Sequence, residues 1–291
     1  MPKTVTVRSA STGGRLRRID SPHNPLVKEL RKGFAQRELA ADHSCAIEGF
    51  HILEEAIRSG LKFRAIFFSS SAEPRSERLL QQMAAHVETV VLPDRLFASV
   101  VPTDAPQGVA ALVRCKAFSV EDVLAKSVAG PIVVVAGVQD PGNLGTILRS
   151  AEAFDAGGVL LGEGTVSPFN SKAVRASAGS VFRLPLAKMA FSGALDQIRQ
   201  RGLRLIATSS HKGTPLPDAK LAGPLALFVG NEGAGLSRDL VAKMDETVAI
   251  PHSSKVESLN AGVAASIVLY EIARQKLTNH KGHEGPQREA L

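Results

Sequence analysis

Three short stretches gather polar or ionisable side chains, two of them with glycine, in a spacing that could do chemistry: QDPGNLGTILRS around Asn143 and Arg149, VGNEGAGLS from Val229 to Ser237, and IPHSSKVESLN from Ile250 to Asn260. A glycine-rich turn behind an apolar strand is where nucleotide-binding proteins hold phosphates. The middle stretch does not fit that role. Gly230, Gly233 and Gly235 stand in the order GxxGxG, reversed from the dinucleotide fingerprint, the lysine of a P-loop is missing, and Glu232 places a negative charge where a pyrophosphate would lie. Read singly, the other two have structural explanations. Asn143 and Ser258 are natural N-caps, Asn260 falls just inside the helix that Ser258 would start, and Arg149 either snorkels to the surface or faces a polar site.

The elements that must position these stretches follow from hydrophobic patterning. PIVVVAGV, GGVLLG, LRLIATSS, PLALFVG and ETVAIPH are near-continuous apolar runs separated by helical stretches, with SLNAGVAASIVLYEIARQKL as the last helix. Such strands indicate a parallel sheet covered on both faces, with ligands at the carboxyl ends of its strands. Upstream, SPHNPLVKELRKGFAQRELA, IEGFHILEEAIRSG, LKFRAIFFSSS, RSERLLQQMAAHV, ETVVLP, DRLFASVV and QGVAALVRC alternate helix and strand as a smaller α/β domain, with Ile52, Leu53, Ala56 and Ile57 inward on the second helix. The expected division is a disordered basic arm over 1–18, a small domain over 19–115, a linker over 116–130, a larger domain over 131–276 and a flexible tail over 277–291.

The chain has 291 residues and a formal charge of +7. Residues 1–37 hold nine Lys/Arg against Asp20 and Glu29, so the remainder, with 26 of each sign, is neutral. A basic arm on a neutral body is the pattern of a protein that meets a polyanion, with a solubilising tail as the alternative. No apolar run approaches the roughly eighteen residues of a membrane span. No secretory signal is read at the N-terminus, so the expected compartment is the cytoplasm. Cys45 and Cys115 are the only cysteines and are expected as small packing residues; no disulfide framework is read and no metal site is suggested by the eight scattered histidines.

Taken together and in order, N143-x-G-x-x-x-R149, L227-F-V-G-N-E-G-A-G-L236 and I250-P-x-x-x-x-V-E-S-L-N260 closely resemble the three motifs of the SpoU/TrmH-like branch of SPOUT RNA methyltransferases. KAVRASAGSVFRLPL, SPHNPLVKEL and IEGFHILEEAIRSG extend the resemblance over roughly residues 20–275 and suggest members with an N-terminal RNA substrate-binding domain. The resemblance implies an α/β methyltransferase domain with a mostly parallel sheet closed by a C-terminal trefoil knot, preceded by a ribosomal-protein-like α/β module. It implies a homodimer with its active site near the subunit interface, and S-adenosylmethionine as cofactor, bound around the backbone of Leu227, Phe228, Val229, Gly230, Asn231, Gly233, Ile250, Ser258 and Leu259, with Asn260 nearby. Arg149, Asn143, Glu232, Ser258 and Asn260 fall on its functional positions. Motif three departs from the usual pattern: His252 stands where methionine is common, Ser254 where glycine is usual, and Ala261-Gly262 replace a Val-Ser pair.

The implied reaction is methyl transfer to a ribose 2′-hydroxyl of a structured RNA, ribosomal before transfer RNA, with no metal. A guanidinium stays protonated in nearly every protein site, so Arg149 is expected to bind the adjacent phosphate and stabilise the developing alkoxide rather than act as base. Glu232 is expected either beside a cationic methyl donor or as a loop staple. RNA contacts are expected from Arg17, Arg18, Lys28, Arg31, Lys32, Lys172 and Arg175. The rival readings are a nicotinamide oxidoreductase, for which VVVAGVQDPGNLG lacks the glycine spacing, and an RNA-binding protein that keeps the fold without turnover.

Overall fold

The computed structural model describes residues 16–35, 39, 42–84 and 86–283. The chain divides into two compact units, Met1–Cys115 and Lys116–Leu291.

The first unit runs β1 (Leu16–Arg18), α1 (Pro25–Ala35), β2 (Ser44–Glu48), α2 (Phe50–Arg58), β3 (Lys62–Ser69), α3 (Ser76–Leu80), β4 (Glu88–Leu92), α4 (Asp94–Ala98) and β5 (Val109–Arg114). Its mixed sheet has the order β1-β4-β3-β5-β2. β3 is central, and Ala65, Ile66, Phe67 and Phe68 are fully buried because the sheet is covered on both faces. One face packs against Leu26, Val27 and Leu30 of α1, spaced so that they share one side of the helix.

Two expectations shift here. The arm expected without structure through residue 18 gives up Leu16–Arg18, which pair in parallel with β4; residues 1–15 lie outside the described residues. The helix expected to begin at Ile47 begins at Phe50, because Ser44–Glu48 pair antiparallel with β5 and Gly49, at φ 99°, turns the chain between strand and helix. Cys45 and Cys115 are buried free thiols whose sulfurs lie 3.2 Å apart.

The second unit runs α5 (Val120–Leu124), β6 (Ile132–Val135), α6 (Pro141–Ala153), β7 (Gly158–Leu161), α7 (Ser171–Ala176), β8 (Leu186–Lys188), α8 (Phe191–Gln200), β9 (Arg204–Ser209), β10 (Thr214–Pro215), β11 (Leu225–Val229), α9 (Arg238–Val241), β12 (Glu246–Ala249) and α10 (Ala261–His283). All seven strands are parallel, in the order β10-β12-β9-β11-β6-β7-β8. β6 and β11 form the middle, fully buried along Ile132–Val135 and Leu225–Phe228, which explains their continuous apolar sequence. β8 and β10 were not legible in the pattern, since two or three residues carry no periodicity. The linker expected over 116–130, with a helical patch around VEDVLAKS, holds α5 there, started by a reciprocal Ser119–Asp122 capping box, with Val123 and Leu124 buried in the core. α10 continues past residue 276 to His283, while 284–291 lie outside the described residues. Among the described residues no helix is long and apolar enough to cross a membrane.

Register brings the functional loops together. Val135 pairs with Val229, Phe228 with Ala207 and Ser209 with Ala249, so β6, β11, β9 and β12 end at one edge of the sheet. The three polar stretches leave from that edge.

Candidate functional site

The start of α6 is set by Asp140, whose Oδ1 accepts the backbone N–H of Asn143 at 3.0 Å. Asp140 is therefore the cap, not Asn143. Pro141 explains the shift: it lacks an N–H and its fixed φ suits the first helical position, which puts the cap at the residue just before it, three positions ahead of Asn143. Relieved of capping, the Asn143 amide donates to Glu232 Oε1 at 3.0 Å and accepts from Asn260 Nδ2 at 2.8 Å. Asn260 in turn caps α10, its Oδ1 accepting from Val263 N at 3.2 Å and its carbonyl from Ala264 N at 2.8 Å. The cap expected at Ser258 thus lies two residues further on, because Asn260 supplies both acceptors and Ser258 is exposed before the helix begins. One relay, Glu232–Asn143–Asn260, joins all three stretches.

Glu232 also accepts the backbone N–H groups of Gln139 and Asp140 at 3.2 and 3.1 Å. Burial works to raise its carboxyl pKa, but the hydrogen bonds from Asn143 and from the backbone of Glu232, Asp140 and Gln139 outweigh it and hold the group below the ordinary 4.5. Its own loop is folded tightly: Asn231 and Gly235 exchange backbone hydrogen bonds at 3.0 Å, and Gly235 takes φ 66°. A Cβ on Gly230 would come 2.3 Å from the Gly235 carbonyl carbon, so glycine is required there. The N–H groups of Gly233 and Ala234 are spent on Asn231 Oδ1 at 2.9 and 3.0 Å. These are the donors a phosphate would need, which gives a structural reason why this glycine loop is not an anion cradle.

A cleft of about 850 Å³ opens at the carboxyl ends of β9, β11 and β12. Of the residues expected around the cofactor, Val229, Gly230, Asn231, Gly233, Ile250, Ser258 and Leu259 line it, as does Glu232. Leu227 and Phe228 do not: their side chains are fully buried within β11, because every residue of a central strand is covered on both faces. Asn260 is absent from the lining and holds the relay beneath it. Residues 208–213 were missed and form another wall, including Thr208, His211 and Lys212. The readable signal was the polar run SSHKG closing an apolar strand, the same strand-end pattern as in the other stretches. Val229, Ile250, Leu259 and Val268 offer an apolar bed for a purine, backbone groups at Gly230 and the Ser258 hydroxyl offer polar contacts, and Glu232 and Glu257 add negative charge suited to a sulfonium. Volume and lining fit a nucleoside-sized, positively charged cofactor.

Arg149 is exposed on α6, makes no side-chain hydrogen bond or ion pair among the described residues, and does not line the cleft. α6 packs along α10, where Ser150 and Ser266 hydroxyls meet at 2.6 Å and a Cβ on Gly262 would stand 3.0 Å from Thr146 Cβ. The outer side of α10 exposes Val263, Tyr270 and Leu277 at seven-residue intervals.

The expected RNA contacts separate. Lys28, Arg31 and Lys32 are exposed on α1 without side-chain partners among the described residues, and Arg17 is exposed on β1. Arg18 pairs with Glu73 at 2.6 Å. Lys172 bonds Asp140 Oδ2 at 2.8 Å, and this contact leads the interactions that lower the Asp140 carboxyl, ahead of the Asn143 N–H. Arg175 is exposed at the end of α7. Among the described residues no cluster of three or more His, Cys, Asp or Glu side chains is placed to hold a metal ion.

Comparison with known proteins agrees with this geometry. The SpoU rRNA Methylase family model matches residues 130–270, and the MRM3-like substrate binding domain model matches residues 24–111. The 23S rRNA (guanosine(2553)-2′-O)-methyltransferase RlmP of Bacillus subtilis (strain 168) is 32% identical over 257 residues, 88% of this chain and 99% of that protein. The AdoMet-bound rRNA methyltransferase from Sinorhizobium meliloti superposes with a TM-score of 0.78 at 28% identity, covering 90% of this chain and 98% of the other. The SpoU methyltransferase AviRb from Streptomyces viridochromogenes, in complex with AdoMet, gives 0.77 at 26% identity over 88% and 99%.

Proposed function

The chain belongs to the SpoU rRNA methylase family, with an MRM3-like substrate-binding domain ahead of the methylase domain, and from that premise we propose how its residues divide the work. It is an S-adenosylmethionine-dependent RNA 2′-O-ribose methyltransferase. When bound, S-adenosylmethionine supplies an already activated methyl group on a sulfonium. What remains for the protein is alignment and charge control.

The Glu232–Asn143–Asn260 relay is the observation that carries the reading, since it locks together the three loops around the cleft. Glu232 is a staple first: its oxygens are committed to Gln139, Asp140 and Asn143, and its negative charge still faces the cleft. Ser258 and the backbone at Gly230 and Leu259 are the cofactor contacts, on an apolar bed. Arg149 binds the RNA phosphate next to the acceptor ribose and stabilises the developing alkoxide. Because Arg149 lies outside its own chain's cleft, it serves the cleft of a second copy. The Val263–Tyr270–Leu277 stripe supports such a homodimer, being an apolar face left exposed among the described residues, with Tyr270 touched edge-on by Phe154. The trefoil knot belongs to the same proposal, supported by the meeting of the loops after β11 and β12 with the start of α10 at one cleft.

Ribosomal RNA is the proposed substrate, supported by relatives named for it, with transfer RNA as the second reading. The first unit is proposed to grip that RNA through α1, and residues 131–276 to carry the reaction, in the cytoplasm and without a metal. Mapping 2′-O-methyl positions in total RNA with and without the gene tests this. One ribosomal position lost on deletion and restored by purified protein with S-adenosylmethionine is the expected result; a lost transfer-RNA position, or none, overturns it.

A further inference from the structure

A second cavity, of about 680 Å³, adjoins the cofactor cleft and shares Ser210, His211, Gly213, Ile250, His252 and Glu257 with it. We propose that this cavity is a subsite for a nucleotide of the acceptor RNA strand, and that His252 and Ser254 select the substrate rather than hold the methyl donor. The proposal rests on the methyltransferase reading above and adds where the acceptor strand lies.

Three observations lead there. Methyl transfer requires the acceptor ribose to share a wall with the cofactor's reacting end, and His252 borders both spaces. The chemistry of the lining suits a ribonucleotide. Lys255 carries an ammonium with no side-chain partner among the described residues, as a backbone phosphate requires, and the hydroxyls of Ser210 and Ser254 with the Glu257 carboxylate suit ribose hydroxyls. The rings of His211 and His252 lie 5.8 Å apart at 31°, offering a face on which an unpaired base can stack. His252 is also held in place: its Nδ1 can only donate to the Ile250 carbonyl, at 2.7 Å, so in the neutral ring Nε2 remains an acceptor. Finally, of the positions at which motif three departs from the pattern it resembles, His252 and Ser254 line this cavity, His252 also bordering the cofactor cleft, while Ala261 lines the cofactor cleft alone. Departures that serve substrate choice belong where the substrate sits.

The test uses the full-length protein and the variant H252M/S254G, which restores the residues usual in the family, beside Lys255→Ala. Calorimetry gives the S-adenosylmethionine Kd, and transfer of labelled methyl to ribosomal RNA from cells lacking the gene gives kcat and KM. Losing a stacking face or a hydrogen bond is expected to raise the RNA KM about fivefold or more while the cofactor Kd stays within about twofold. Ribosomal RNA carrying 4-thiouridine should, on irradiation, crosslink to peptides spanning 210–215 or 249–257 in the parent protein. An RNA KM unchanged in both variants, or a cofactor Kd that rises in step with it, overturns the proposal, as do crosslinks confined to other peptides. A parent protein that binds S-adenosylmethionine but methylates no RNA defeats the functional reading instead, and the crosslinks still decide the subsite.

Discussion

Asn143→Ala is the most direct probe of the site's construction, because it removes the middle of the relay without touching the cleft wall. Two hydrogen bonds disappear, the 3.0 Å bond to the Glu232 carboxylate and the 2.8 Å bond from Asn260. A buried bond to a charged group contributes about 1.5–3 kcal/mol and a neutral one about 1 kcal/mol. Glu232 is only partly buried and Asn260 is exposed, so solvent screening cuts the total to about 1–2 kcal/mol. In a unit of this size each kcal/mol shifts Tm by about 2–4 °C, so a fall of about 2–8 °C is expected in thermal unfolding. The cofactor Kd should rise with it, since the relay fixes the loops that line the cleft. A double-mutant cycle with Glu232→Ala isolates the bond itself, and a coupling of about 1 kcal/mol is expected between residues in direct contact. Additivity within about 0.3 kcal/mol would mean that the two side chains act independently, and the relay would lose its role in holding the loops.

Arg149→Ala should reduce methyl transfer by about 10²-fold or more while the cofactor Kd stays nearly unchanged, and lost cofactor binding would count against a role toward the RNA. Gly145→Ala places a Cβ 2.4 Å from Ala176 Cβ and 2.6 Å from the Ala173 carbonyl, so α6 and α7 must separate; denaturant unfolding should show a loss of about 1–3 kcal/mol. Replacing Lys28, Arg31 and Lys32 together by alanine should weaken RNA binding and flatten its log–log salt dependence by about 0.7–0.9 for each phosphate that is no longer neutralised; an unchanged slope would move the RNA to another face. Glu232 and Asp140 both have carboxyl pKa values lowered by folding, from ordinary values of 4.5 and 3.8. Their stabilisation is therefore present above those values and is lost as pH falls through the lower folded ones, so acid titration of the Tm should show the decline below about pH 4.5 in the parent and a smaller one in Glu232→Gln.

Much of the core was legible because a parallel strand covered on both faces must be apolar at every position, and Ile132–Val135 and Leu225–Val229 announce that by composition alone. Leu227 and Phe228 belong to the same run: their side chains are buried in the core on both sides of the strand, which leaves only their backbone for the expected cofactor contact. Short elements such as β8 and β10 escaped, since two or three residues are too few to show a period. Caps were misplaced at Asn143 and Ser258 because several residues in each stretch could cap: Pro141 sets the start of α6 at Asp140, and Asn260 supplies both acceptors for α10.

From its sequence this protein already had its class, its two α/β parts and the three stretches that carry its chemistry, because hydrophobic period and motif spacing are local properties of the chain. Only the tertiary structure decided what those residues do. Asn143 bonds Glu232, 89 positions away, and Asn260, 117 positions away. No local pattern encodes such a pairing; it follows from a strand order that brings the ends of β6, β9, β11 and β12 to one edge. The same order folds a glycine loop so that it spends its own N–H groups on Asn231, opens a cleft beside it, and leaves Arg149 outside that cleft.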